Sequence, residues 1–164
     1  MQNLKANLKV KLKGAKKIAI LGVGSELRGD DVAGVLVAKY LEKVCAKSRG
    51  LSNCKVFIGE TAPENLTGEI KRFKPDHLII VDSADMGKAA GEALMIDSNE
   101  ASGFSFCTHN LPVKIMVDYL INSIGCEILI IGIQPKKISF GILPSKEIIK
   151  SAKFISGAIK SCLH

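Results

Sequence analysis

Short apolar runs alternate along this chain with segments in which apolar residues recur at helical spacing. The apolar runs predict buried strands at residues 17–23, 54–58, 77–81 and 126–133, and an antiparallel edge strand at residues 93–96. The helical spacing predicts helices at residues 31–47, 63–73 and 109–124, and a last helix capped by Ser145. Because such an alternation requires right-handed crossovers, the sequence predicts an α/β fold whose open, mostly parallel sheet has helices on both faces.

The positive charge of the chain is concentrated at its N-terminus. The formal net charge is +7, and residues 1–17 contain six lysines and no acid, so subtracting six from seven leaves +1 for the remainder. We predict a basic N-terminal arm at residues 1–16, either a solvated tail or, because residues 8–13 alternate, an edge strand protected by its lysines. Residues 17–164 have the length of a single domain.

Cysteine usage and hydropathy indicate the compartment. The five cysteines are odd in number and form no C-x-x-C pair, which is typical of a reduced, cytoplasmic protein. The longest apolar runs are far shorter than a membrane span, so no membrane association is predicted. Because the body of the chain is nearly neutral, we expect no nucleic-acid partner.

A glycine-rich loop after the first predicted strand ends in two acids. Gly22 and Gly24 resemble the start of a dinucleotide-binding fingerprint, but Leu27 stands where the third glycine is expected. Asp30 and Asp31 would repel a pyrophosphate at the start of the following helix, which argues against nucleotide binding. A purely structural alternative is that the two acids cap that helix.

Two carboxylates and an imidazole are predicted near one edge of the sheet. Asp31 follows the first strand, Asp82 ends the third, and His109 begins a helix. Ligands of α/β proteins bind beyond the carboxyl ends of the strands, and neighbouring carboxylates repel unless a cation neutralises them. The resulting O,O,N set suits a divalent transition metal with open coordination positions. Each residue also has a structural reading, as a helix cap, a strand-end loop residue or an ordinary helix start.

Other reactive side chains have less support. His77 lies at the entrance of the third strand, far from the carboxyl edge, and is interpreted as structural. Cys107 lacks an evident cationic neighbour that would make it a nucleophile. The sequence contains neither a G-x-S-x-G elbow nor an H-E-x-x-H helix, which argues against the common serine hydrolases and self-contained zinc proteases.

The candidate residues lie in segments that resemble the hydrogenase maturation endopeptidases. The resemblance covers about residues 17–160 and is closest to the branch that processes the large subunit of hydrogenase 3, the formate hydrogenlyase type. It is carried by five segments, GVGSELRGDD (22–31), TAPEN (61–65), VDSADMG (81–87), THNLP (108–112) and GIQP (132–135). It implies a three-layer α/β/α sandwich with a five-stranded sheet.

The resemblance also implies a reaction, which is removal of a C-terminal peptide from a [NiFe]-hydrogenase large-subunit precursor after nickel insertion. The implied metal ligands are Asp31, Asp82 and His109, with the nickel supplied by the substrate and other divalent ions fitting the same site. Asp31 and Asp82 are the implied catalytic residues. Either the metal polarises the scissile carbonyl or activates water, or one aspartate acts as general base.

Four further residues are predicted to support the site, and these are Gly22, Gly24, Asp30 and Asp85. We expect a monomer that engages its substrate transiently. Two other functions remain open on the sequence. One is a hydrolase of related α/β/α fold acting on a nucleoside or peptidyl-RNA, and the other is a non-catalytic nickel-binding accessory protein that would use the same ligands.

Overall fold

The computed structural model describes residues 2–45, 53–96, 105–106 and 113–163. The strands are β1 (Ile18–Val23), β2 (Cys54–Glu60), β3 (His77–Asp85), β4 (Ala93–Ile96), β5 (Ser105–Phe106) and β6 (Glu127–Ile133). The α-helices are α1 (Gln2–Lys11), α2 (Ala33–Cys45), α3 (Thr67–Phe73), α4 (Val113–Ile124) and α5 (Lys146–Lys160). Two 3-10 turns, Gly29–Val32 and Pro63–Leu66, lead into α2 and α3.

The strands follow the order β2-β1-β3-β6-β4, with β5 paired to β3 outside this path. Neighbouring pairs among β2, β1, β3 and β6 are parallel, whereas β4 is antiparallel to β6. The predicted mostly parallel sheet with an antiparallel edge strand is therefore confirmed. Since β1 connects to β2 on one side and pairs with β3 on the other, the strand order reverses at β1, which opens a crevice beyond the carboxyl ends of β1 and β3.

Helices cover both faces of the sheet. On one face α1, α2 and α5 pack against inward side chains such as Ile79 and Val81. On the other face α3 and α4 pack against the alternate positions, including Leu78 and Ile80. Continuously apolar strands suit this arrangement because both sides of each central strand are buried. The predicted three-layer α/β/α architecture is confirmed. None of the described helices is both long and apolar enough to cross a membrane.

The N-terminal segment is a helix, so the prediction of a solvated tail or an edge strand is wrong. Leu4, Leu8 and Leu12 recur every fourth residue, are buried, and join the core cluster that contains α5. That spacing places one stripe of α1 and the turn after it against the domain, and the lysines lie on the exposed side. The alternation at residues 8–13, which predicted a strand, is shorter than the leucine repeat. The segment folds as the helix that the leucine spacing favours.

Candidate active site

Three glycines let the start of α2 approach the sheet at the crevice. A Cβ on Gly24 would lie 1.9 Å from the Asp31 carbonyl oxygen, and one on Gly34 would lie 1.9 Å from the Val81 carbonyl oxygen. A Cβ on Gly22 would lie 2.3 Å from the Gly34 carbonyl oxygen. No side chain fits at these positions, so the glycines bring the 3-10 turn that carries Asp31 directly over the carboxyl ends of β1 and β3.

The Asp31 carboxylate is fully buried at this edge. Its Oδ1 accepts a hydrogen bond from Ser83 Oγ at 3.1 Å, whereas Oδ2 has no hydrogen-bond partner within the described part of the chain and lies 3.9 Å from Arg28 Nη1. Burial raises the pKa of the Asp31 carboxyl, and the charge of Asp82 adds to this effect. The Ser83 hydrogen bond and the Arg28 charge oppose it. Asp31 therefore occupies a position where its charge is unfavourable.

Asp82 lies inside β3, which continues to Asp85, so the predicted end of this strand at Asp82 is three residues too early. Its carboxylate is also fully buried, and its Oδ1 accepts a hydrogen bond from the Ser83 backbone N–H at 2.7 Å. Ser83 thus contacts both aspartates, one through its hydroxyl and the other through its backbone. Sequence reasoning missed Ser83 because a serine after an aspartate in a strand carries no distinctive pattern.

The predicted third ligand, His109, lies outside the described residues, as does Cys107. Within the described ranges there is no group of three or more His, Cys, Asp or Glu side chains placed to hold a metal ion. The structure thus brings Asp31 and Asp82 together, and the complete O,O,N set stays a prediction. His77 lies at the opposite end of β3, where its Nδ1 is 2.8 Å from Asp76 Oδ1.

Asp30, the neighbour of Asp31, connects two loops. Its buried carboxylate accepts hydrogen bonds from the backbone N–H groups of Lys136 at 2.7 Å, Lys137 at 3.1 Å and Ser145 at 2.6 Å. The Ser145 hydroxyl donates a fourth at 3.0 Å and also caps α5 by accepting from the Ile148 N–H. Four donors occupy this carboxylate, so Asp30 anchors the loop before α5 to the glycine-rich loop.

Asp85 is exposed and orders the loop after β3. Its Oδ1 accepts hydrogen bonds from Gln134 Nε2 at 3.1 Å and from the Gly87 N–H at 3.2 Å, and the first of these is the main cause that lowers the pKa of Asp85. The side chain of Gln134 is buried, and its Oε1 accepts from the backbone N–H groups of Met86 and Lys88. Gln134 belongs to the GIQP segment, but no sequence pattern indicates this role.

Removing the Asp30 carboxylate should destabilise the domain. We expect Asp30→Ala to lower the free energy of unfolding by about 2–4 kcal/mol, because three buried or half-buried backbone donors and a hydroxyl lose their acceptor. Urea unfolding followed by circular dichroism measures the loss. Asp85→Ala is the matched control, and its exposed carboxylate should matter much less. Equal losses in the two variants would contradict the anchoring role.

The arrangement defines a three-layer α/β/α protein with two carboxylates buried together at the switch point of a parallel sheet. A family model described as HycI, hydrogenase maturation protease, matches residues 35–161. The hydrogenase 3 maturation protease of Escherichia coli K12 is 40% identical over 134 residues, which cover 81% of each chain.

Solved structures agree with this match. The crystal structure of the [NiFe] hydrogenase maturation protease HycI from Thermococcus kodakarensis superposes with a TM-score of 0.86 at 32% identity, covering 96% of this chain and 98% of that one. The solution structure of the endopeptidase HycI from E. coli has a TM-score of 0.76 at 33% identity, covering 88% and 90%. The chain belongs to the hydrogenase maturation protease family, so the resemblance found in the sequence is confirmed.

Proposed function

We propose that this protease removes a C-terminal peptide from the large-subunit precursor of a [NiFe]-hydrogenase of the hydrogenase 3 type after nickel has been inserted. The observation that carries the proposal is the pair of buried carboxylates, Asp31 and Asp82, at the crevice between β1 and β3. A buried site with two like charges favours a ligand that brings a cation, and a nickel-loaded precursor is such a ligand. The E. coli relative is a hydrogenase 3 maturation protease, which supports the same substrate class for this chain.

Nickel belongs to the substrate in this proposal, and the donor set fits it. Asp31 Oδ2 is buried without a hydrogen-bond donor among the described residues, so a divalent cation would supply the missing partner. Asp31, Asp82 and His109 would be the protein ligands, and open coordination positions would let substrate thiolates share the metal. When bound, the metal would supply Lewis-acid chemistry, either polarising the scissile carbonyl or activating water.

The protein side chains orient the two carboxylates before the substrate arrives. The Ser83 hydroxyl engages Oδ1 of Asp31, which leaves Oδ2 for the incoming group. The Ser83 N–H engages Oδ1 of Asp82. A peptide bond at this edge would lie beside both carboxylates. Metal-activated water and an aspartate general base are the two routes to the nucleophile, and each requires both aspartates.

The proposed setting is the cytoplasm, with a monomeric protease that binds its precursor transiently. The odd number of cysteines and the lack of a C-x-x-C pair support that compartment.

An in vitro processing reaction tests this proposal. The purified chain is incubated with the purified nickel-loaded precursor, and mass spectrometry reads the precursor's C-terminus. We expect a product shortened by one C-terminal peptide. Binding of the precursor without shortening would contradict the peptidase assignment and favour the non-catalytic accessory protein. Hydrolysis of a nucleoside or peptidyl-RNA with an intact precursor would favour the alternative hydrolase.

A further inference from the structure

Three large apolar side chains are exposed on two loops next to the site. Leu27 is 63% exposed, Phe140 75% and Leu143 89%, and the last two are the most exposed large apolar residues in the described ranges. We call Leu27, Phe140 and Leu143 the apolar loop surface. Exposed apolar side chains grouped in this way mark interaction sites more often than scattered ones do.

The two loops that carry this surface are held together. The Gly141 N–H donates a hydrogen bond to the Leu27 carbonyl oxygen at 2.8 Å. Ile142 packs so closely on Gly29 that a Cβ there would lie 2.7 Å from Ile142 Cγ1. The Asp30 carboxylate fastens the beginning and the end of the second loop, as described above. The apolar loop surface is thus formed before any partner binds, which reduces the entropy lost on binding.

A cationic cavity of about 600 Å³ adjoins this surface, and its walls include Asp30, Leu143, Lys137 and Lys146. Lys136 and Glu147, also in the wall, neutralise each other in an ion pair of 2.7 Å. Lys137 and Lys146 have no ion-pair partner in the part of the chain that the structure describes, and the Asp30 carboxylate is occupied by four donors. The wall carries Lys136, Lys137 and Lys146 against Asp30 and Glu147, so the cavity has an apolar wall and a formal net charge of +1.

We propose that the apolar loop surface and its cavity bind the C-terminal peptide of the precursor, an inference that rests on the proposed function. A terminal peptide always ends in a carboxylate, which Lys137 and Lys146 complement, and its apolar side chains would cover Phe140 and Leu143. The position fits as well, because Asp30 lines the cavity and Asp31, the next residue, lies at the crevice. In this proposal the residues beyond the scissile bond would extend from the crevice toward the cavity.

Steady-state processing kinetics test the apolar contacts. We expect the double variant Phe140→Ser/Leu143→Ser to raise the KM for the nickel-loaded precursor about tenfold or more, with kcat nearly unchanged, because the lost contacts act on binding. Val10→Ser is the matched control, since Val10 is 73% exposed on α1. All these side chains are exposed, so melting temperatures should agree among the variants. An unchanged KM in the double variant would overturn the inference.

A labelled synthetic peptide with the precursor's C-terminal sequence tests the charges without relying on catalysis. Fluorescence anisotropy should show that the free-acid peptide binds at least threefold more tightly than its amide, and that high salt reduces the difference. Lys137→Glu/Lys146→Glu should abolish the preference, whereas Lys153→Glu on the exposed side of α5 should keep it. Equal binding of acid and amide would overturn the carboxylate assignment.

Two further outcomes separate this inference from the proposed function. The wild-type chain could fail to shorten the precursor and still prefer the free-acid peptide. That result would contradict the proposed function and support the binding surface. Analytical ultracentrifugation compares the oligomeric states of the two proteins. If the wild-type chain sediments as a dimer and the Phe140→Ser/Leu143→Ser variant as a monomer, a second copy of the chain covers this surface, and that result would overturn the inference.

Discussion

Asp31→Asn is expected to abolish precursor processing, with a loss of at least about 10³-fold, and to raise stability at neutral pH. Asparagine keeps an oxygen that can accept from the Ser83 hydroxyl but removes the anionic oxygen at the crevice. The wild-type carboxylate is buried beside Asp82, so its charge destabilises the folded state. Intact-mass analysis of the precursor measures the activity, and thermal unfolding measures the stability.

The stability gain of Asp31→Asn should depend on pH in a defined direction. The folded-state pKa of Asp31 is raised above 3.8, so the folded chain binds this proton more tightly than the unfolded chain does. In the wild type, the buried charge of Asp31 lowers the free energy of unfolding by its full amount at pH values above the raised pKa. This cost disappears as the pH falls through the raised pKa toward 3.8. The melting temperature of the variant should therefore exceed that of the wild type at pH 7, and the two should converge near pH 4.

Asp85→Asn is the matched control for this titration. The pKa of Asp85 is lowered, chiefly by the Gln134 hydrogen bond. The ionised carboxylate therefore stabilises the fold at pH values above the ordinary pKa of an aspartate, and this contribution is lost as the pH falls through the lowered pKa. The control should thus lose stability at pH 7, the opposite sign to Asp31→Asn. Retention of more than a tenth of the processing rate by Asp31→Asn, or a lowered melting temperature at pH 7, would contradict the role assigned to Asp31.

Gly34→Ala should have the largest effect on the fold. A Cβ at Gly34 would lie 1.9 Å from the Val81 carbonyl oxygen and 2.4 Å from the Val23 carbonyl oxygen, and both atoms belong to backbone that cannot rotate away. The first turn of α2 would have to leave the sheet, at an expected cost of about 3 kcal/mol or more. Asp31 would move with that turn, so we also expect processing to fall. Urea unfolding and the processing reaction measure the two losses.

Gly157→Ala on α5 provides the comparison for Gly34→Ala. Both glycines are helical, but a Cβ at Gly157 has no neighbouring atom within 4 Å, so alanine should stabilise the helix by up to about 1 kcal/mol. If the free energy of unfolding falls for Gly34→Ala and rises for Gly157→Ala, the Gly34 effect is due to the contact with the strands. A Gly34→Ala variant as stable as the wild type would contradict the close packing of α2 on β1 and β3.

The sequence predicted the strands and the two-sided packing because buried parallel strands are continuous apolar runs, as at 77–81 and 126–133. It also predicted that Asp31 and Asp82 lie at the same edge of the sheet, because the carboxyl ends of parallel strands meet at one edge. The structure of α1 was predicted wrongly, because a local alternation of lysines concealed the four-residue repeat of Leu4, Leu8 and Leu12.

Several contributions to the site depend on tertiary contacts that leave no local signal. Ser83 matters because β3 lies beside the turn that carries Asp31, and Gly34 matters because α2 crosses the strands at that point. Asp30 was predicted to support the site, but its actual partners, including Ser145, are more than 100 residues away in the sequence. Such long-range hydrogen bonds follow from the topology and cannot be read from residue spacing.

We expect the buried carboxylates to act on a nickel-loaded precursor. The most direct measurement incubates the purified chain with nickel-loaded and with nickel-free precursor in parallel and determines the intact mass of each by mass spectrometry. We expect that only the nickel-loaded precursor loses a C-terminal peptide, and that the Asp31→Asn and Asp82→Asn variants leave it intact. Equal cleavage of both precursors would contradict the metal-dependent recognition, and cleavage of neither would contradict the proposed function.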